Sequence, residues 1–163
     1  DRSHHERGVG EVDPRLGGSE YTAIFGGTDA FPELPADATS LVETVADVAD
    51  ADHVLASHDV SHGGLAVALA EMVHREAGAS VELEAPDRNV EKRLLFHEQP
   101  GRVVFETTAP AAVREAFDGV APATALGEAD DSNRLELTVD GDRLRSDAHA
   151  IAGLRDTIES ELA

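Results

Sequence analysis

One stretch constrains this chain more than any other. It runs His53-Val54-Leu55-Ala56-Ser57-His58-Asp59-Val60-Ser61-His62-Gly63-Gly64-Leu65-Ala66-Val67-Ala68-Leu69-Ala70-Glu71-Met72. The apolar start at 53–57 reads as a short buried strand, and Asp59 falls where it ends. From the glycine pair onward, Leu65, Ala68, Leu69, Met72 and Val73 follow the i, i+3, i+4 spacing of one helix face. A helix over roughly 62–77 is expected, with Ser61 as its cap. Its first N–H groups have no partner within the helix and point back at the loop holding Asp59 and Ser61. Gly63 and Gly64 lack a Cβ, so a backbone or a ligand can come close. The geometry allows an anion or phosphate seat, but a capped helix after a tight strand-to-helix turn explains the same letters and is the favoured reading of the residues alone.

Flanking segments place this unit in a mixed α/β (α+β) fold. Gly17 to Glu20 can turn the chain and cap a short helix through Tyr21, Ile24 and Phe25, ended by Gly26 and Gly27. Residues 28–38 read as a loop, and Thr39 or Ser40 as the cap of a helix carrying Leu41, Val45, Val48 and Ala49. Gly78 is expected to stop the helix after the glycine pair. Ala79 to Leu83 alternates as a strand, Pro86 closes that unit, and a short helix runs through Val90, Leu94 and Leu95. Arg102 to Thr107 is rich in β-formers. Pro110 opens a helix with Val113 and Phe117 inward. Ala121 to Leu126 reads as a strand cut by Gly127. Arg134 to Val139 alternates strictly, and Asp140-Gly141 turns the chain toward a strand holding Leu144. A final helix presents Ile151, Leu154, Ile158 and Leu162 to the core. The elements do not alternate strictly, which predicts a mixed sheet covered by helices.

Composition narrows the partners. The 163 residues hold 33 Asp and Glu against 13 Lys and Arg, a formal charge of −20, with Lys92 the only lysine. Such a field repels nucleic acid and anionic membranes. The 41% hydrophobic content in periodic blocks argues against disorder. A solvated acidic surface adapted to high salt is the expectation. There is no Cys, hence no disulfide and no thiolate metal site. No apolar run reaches membrane-spanning length and the start is polar, so a cytoplasmic protein is expected. Residues 1–15 show no hydrophobic period and read as a flexible segment, His4 and His5 included. The domain proper is expected over 16–163, and the missing initial Met suggests a piece of a longer polypeptide.

Three blocks resemble one family in order. Asp59-Val60-Ser61-His62-Gly63-Gly64-Leu65-Ala66-Val67-Ala68-Leu69-Ala70-Glu71-Met72 resembles a signature of formylglycinamide ribonucleotide amidotransferase, the purine-pathway synthase PurL. Leu16-Gly17-Gly18-Ser19-Glu20-Tyr21 and Leu95-Phe96-His97-Glu98-Gln99-Pro100-Gly101-Arg102 resemble two more of its motifs. The likeness is to the last of the enzyme's domains, the C-terminal type shared with aminoimidazole ribonucleotide synthetase. It implies that fold for 16–163. It also implies part of an ATP- and glutamine-dependent enzyme that makes formylglycinamidine ribonucleotide from formylglycinamide ribonucleotide. ATP phosphorylates the amide oxygen there, and ammonia displaces the phosphate. The family's magnesium carboxylates, catalytic histidine and main ATP contacts belong to N-terminal-type domains. This chain lacks their His-x-Asn-His-type motif. The implied partners are those domains of the same polypeptide, a glutaminase subunit and a small accessory subunit.

The residues singled out for substrate or nucleotide contact are Ser19, Glu20, Asp59, Ser61, Gly63, Gly64, Glu98 and Arg102; none is expected to be catalytic. Each has a plainer alternative. Ser19 can cap a helix, and Asp59 can accept loop N–H bonds. Glu98 can pair with Arg102, or Arg102 can meet a phosphate bidentately. Gln99-Pro100 departs from the family's Ser-containing segment, which weakens direct substrate contact there. The domain is then expected to wall a cleft and border a second, pseudo-symmetric site, and to be inactive alone. His58 and His62 straddle a turn, with Glu71 and His74 expected far down the helix, so no metal site follows. Two rival readings remain. One is a related ATP-dependent synthetase such as the ring-closing aminoimidazole ribonucleotide enzyme. The other is a stand-alone non-catalytic domain that binds a nucleotide or partner.

Overall fold

Val103–Thr107 lies deep in the molecule because its neighbours in sequence serve opposite faces. In this computed structural model, which describes residues 4–9, 15–84 and 88–161, Val104 and Phe105 are both fully buried. Successive strand side chains point to opposite faces, so Val104 joins one core cluster and Phe105 another. The order along the chain is β1 (His4–Val9), α1 (Glu20–Phe25), α2 (Ala38–Ala49), β2 (Val54–Asp59), α3 (Gly64–Met72), β3 (Gly78–Leu83), α4 (Arg88–Phe96), β4 (Val103–Thr107), α5 (Pro110–Ala116), β5 (Ala123–Asp130), β6 (Arg134–Val139), β7 (Asp142–Asp147) and α6 (Ala148–Glu161). Seven strands form one sheet in the order β2-β4-β1-β5-β3-β6-β7. Among the described residues only β3 and β6 pair in parallel; the other pairings are antiparallel. The mixed sheet with helical cover is as expected.

Two cores flank this sheet. On one side Leu65, Ala68 and Leu69 of α3, Leu95 of α4 and Ile151 of α6 pack on Val81, Val104, Leu126, Leu135 and Leu137. On the other side Leu41 and Val48 of α2 and Val113 of α5 meet Phe105 and Phe117, whose rings lie 6.0 Å apart.

Several expectations are corrected. His4–Val9, expected to be flexible, is the strand between β4 and β5. Its polar sequence gives no period, yet backbone pairing on both edges needs none, because tertiary context overrides strand propensity. The side chains of His4 and His5 lie outside the described residues, as do Pro86, Leu162 and the side chains of Val90 and Ile158. Asp37, not Thr39 or Ser40, caps α2, its carboxylate accepting the Ser40 N–H at 3.0 Å. α3 ends at Met72, short of Gly78, and Val73 is already extended. His74 and Ala77 then close a small turn by exchanging backbone bonds. Gly78 instead opens β3, where a Cβ would sit 2.3 Å from Ser132 Oγ. Leu154 faces away from the core at 72% exposure, leaving Ile151 as the described apolar anchor of α6.

Gly127 does not cut its strand. β5 runs through it to Asp130, and the strand needs a glycine because a Cβ would lie 1.9 Å from Ser80 O of β3. Gly127→Ala should therefore destabilise the fold by about 2–3 kcal/mol through forced strand separation. Gly153→Ala, in α6 with open space around it, should stabilise by about 0.5–1 kcal/mol. Urea unfolding midpoints of the two variants check both signs.

Candidate functional site

The glycine turn after β2 is held by a carboxylate from a distant part of the chain. Gly63 (φ 81°) and Gly64 (φ 68°) are both left-handed, a conformation that a side chain opposes. Gly64 also has no room for one, since its Cβ would lie 2.5 Å from Leu95 O and 2.8 Å from Phe96 Cα. The chain leaving α4 thus runs directly against the start of α3. That contact carries Glu98 to the turn, where its Oε1 accepts the Gly63 N–H at 2.8 Å. The same oxygen accepts the Glu20 N–H, also at 2.8 Å. One carboxylate oxygen joins the N-terminal ends of α1 and α3, where negative charge is favoured.

This arrangement corrects the expected cap. Ser61 does not cap α3 with its side chain; its backbone carbonyl accepts the Gly64 N–H at 3.0 Å. Gly63 holds the cap position with no side-chain bond. The seat that spacing offered to an external anion is filled at Gly63 by the protein's own Glu98.

The remaining candidates divide between frame and surface. Ser19 is buried, caps α1 by accepting the Thr22 N–H at 3.3 Å, and donates its hydroxyl to Leu16 O at 2.7 Å. Glu20 brings its carboxylate within 3.3 Å of His62 Nδ1. Asp59 is exposed at the end of β2, 3.8 Å from His58 Nδ1. Arg102 is buried beneath the loop. Its Nη1 donates to His97 O at 3.3 Å, and its carbonyl accepts the Val60 N–H at 2.9 Å. Burial lowers its pKa to about 10. Glu98 and Arg102 each bond backbone and not each other, so the expected ion pair between them is replaced by anchoring of the loop.

Three features escaped sequence reasoning. Glu71, expected far from His58, lies 3.2 Å from its Nε2, because α3 folds back beside β2. Helical spacing after Leu65 puts Glu71 on a definite face, but not over a given strand. Tyr21 stacks on Phe96 with centroids 5.3 Å apart, tying α1 to α4. Asp29 accepts from Leu16 N at 3.0 Å and from Ala30 N at 3.0 Å, and pairs with Arg93. Asp29 and Arg93 border a cavity of about 350 Å³, whose acid is thus already engaged. Among the described residues, no three His, Asp or Glu side chains are grouped to hold a metal.

The family described as AIR synthase related protein, C-terminal domain, matches residues 8–140. The chain belongs to this family. Its match starts inside β1, consistent with that strand being integral to the sheet. The chain is 69% identical to the PurL subunit of phosphoribosylformylglycinamidine synthase from Haloarcula marismortui over 153 residues, 94% of this chain and 21% of that protein. The same subunit from Natronomonas pharaonis is 54% identical over 151 residues, 92% of this chain and 21% of that protein. The chain therefore spans about a fifth of these relatives. The structure of Thermotoga maritima PurL complexed with FGAR shares the fold, with a TM-score of 0.70 at 16% identity over 93% of this chain and 28% of that chain.

In this family member, the Glu98 link yields a sharp contrast. Glu98→Ala should cost about 1–3 kcal/mol by leaving two N–H groups without their acceptor, while Glu98→Gln, which keeps an acceptor oxygen, should recover most of it. Glu20→Ala should change stability by about 0.5 kcal/mol or less, since its backbone makes the bond. Equal losses in chemical denaturation for Glu98→Ala and Glu20→Ala would refute the assignment. Asp29 gives a pH signature. The Leu16 N–H first, then Arg93, holds its carboxyl below the ordinary 3.8. A lowered folded-state pKa supplies stability above the unfolded value that is lost as pH falls through the folded one. The Asp29→Asn penalty should thus be largest near neutrality and shrink below about pH 4, as read by thermal melts across pH.

Proposed function

We propose that the chain is the C-terminal domain of the PurL subunit of a phosphoribosylformylglycinamidine synthase. The observation that carries this is 69% identity over 94% of the chain to the Haloarcula marismortui subunit. At that level the sheet register, the glycine turn and the Glu98 loop are expected to be shared in detail. The whole enzyme would convert formylglycinamide ribonucleotide to formylglycinamidine ribonucleotide with ATP and glutamine. It would act with magnesium, a glutaminase subunit and a small accessory subunit. N-terminal-type domains of the same polypeptide would carry the reacting groups.

The domain's own part is structural. Glu98 ties the Gly63 turn to the start of α1, Ser19 caps α1, Gly64 seats α4 and Arg102 anchors the base of the loop, which suits a rigid wall beside a cleft. Glu20, Asp59 and Ser61 are the exposed members of the set and the ones able to meet a ligand at that wall. The family's pseudo-symmetric second site is the place this wall would border. Its −20 charge supports a protein that works in concentrated salt, as does the likeness to relatives from Haloarcula and Natronomonas. A cytoplasmic location follows from the pathway proposed.

Activity separates the whole from the part. The full-length polypeptide, assayed with formylglycinamide ribonucleotide, ATP, magnesium and ammonia in molar KCl, should release phosphate and product. The 163-residue chain should give none above background. Turnover by the chain alone would overturn this division of labour, and an inactive full-length protein would overturn the PurL assignment.

A further inference from the structure

The chain has few aromatic side chains, with 5 Phe and 1 Tyr. Two of those phenylalanines stand in solvent. Phe25 is 71% exposed and Phe31 74% exposed, and Ile24 (71%), Leu34 (74%) and Val42 (66%) accompany them. All five fall between positions 24 and 42, on α1, the loop after it and the start of α2. Scattered exposed apolar residues are ordinary, but a concentration of large ones marks an interaction surface.

The segment is also firmly held. Gly17 N donates to Ala30 O at 3.0 Å, and Asp29 accepts the Leu16 N–H. Gly18 has no Cβ because the Phe31 ring occupies that place, only 2.3 Å from where one would lie. Tyr21 and Phe25 lie 4.8 Å apart, and Pro35 packs beside Gly101 and Leu41. The loop is thus presented in a defined shape, with its apolar side chains outward.

Charge selects the occupant. Exposed Glu20, Glu33 and Glu43 stand within and at the two ends of this run in sequence, Glu33 paired with Arg15 at 3.2 Å and Glu20 3.3 Å from His62 Nδ1. A second copy of the chain would bring the same carboxylates to the contact, and like charges brought together there cost free energy. A different surface, apolar at its centre and basic at its rim, fits. The chain spans about a fifth of these relatives, so such a surface has ample room elsewhere on one polypeptide. We propose that the ridge formed by Ile24, Phe25, Phe31 and Leu34 docks onto the remaining part of the same PurL polypeptide, against an apolar face rimmed by Arg or Lys. This rests on the functional reading above and adds to it the face by which the domain is held.

Hydroxyl-radical footprinting of the full-length polypeptide tests the docking. Oxidation of Phe25, Phe31 and Leu34 is compared between the native protein and the same protein unfolded in denaturant. Native protection of fivefold or more, unchanged on dilution, is expected. In Leu34→Glu, oxidation of Phe31 should rise at least threefold. Protection below twofold would overturn the proposal. So would protection that disappears on dilution as the mass halves, since that outcome assigns the ridge to a second copy. Turnover measured on the same preparation separates the two readings: an active enzyme with an unprotected ridge loses only the docking face.

Discussion

One carboxylate oxygen holds this domain's three family motifs together. Glu98 Oε1 takes an N–H from the start of α1 and another from the turn before α3, each at 2.8 Å. The three partners come from segments 35 to 78 residues apart. Helix N-termini leave donors without intrahelical partners, and a charged acceptor makes a stronger hydrogen bond with them than a neutral one. What looks like a seat for a phosphate is, at Gly63, a joint of the fold.

That joint works because the surrounding contacts are close and few alternatives fit. Gly64 lets Leu95 and Phe96 press on the start of α3, which sets how far the 97–102 loop reaches. Arg102 lies buried below, bonded to His97 O, and holds the base of the same loop. Ser19 is likewise enclosed, serving α1 from within. The motif residues that look most like ligand contacts thus divide by exposure: Glu20, Asp59 and Ser61 face outward, and the rest frame the wall. The loop after α1 shares the same framework, since Leu16 is bonded both to Asp29 of that loop and to Thr22 of the helix.

Periodicity was informative where one side of an element is buried. The alternation of Arg134–Val139 and the Asp140-Gly141 turn appear as read, with Leu135, Leu137 and Val139 buried. So do the inward Val113 and Phe117. It failed where backbone pairing alone makes the strand. His4–Val9 carries no apolar period, yet it lies between two antiparallel neighbours. It also failed for glycines, whose local meaning is ambiguous: Gly78 and Gly127 read as stops but stand inside a crowded sheet. Of the site, the motif positions were legible; the partner of each was not. Glu98 was matched to Arg102, four residues along, whereas its contacts are with residues 35 and 78 positions away.

The amino-acid sequence by itself determined the order strand, glycine pair, helix, though not that the strand, expected to be buried, is an exposed edge strand; it also determined the acidic balance, the mixed α/β class and the likeness to a synthetase C-terminal domain. Each of these rests on local spacing or on composition, which a linear reading contains. Only the tertiary structure decided that Glu98 fills the α3 turn, that Glu71 reaches His58, and that the first strand lies between β4 and β5. Those outcomes depend on which distant backbone groups come within hydrogen-bonding distance, and that follows from packing two cores on one sheet.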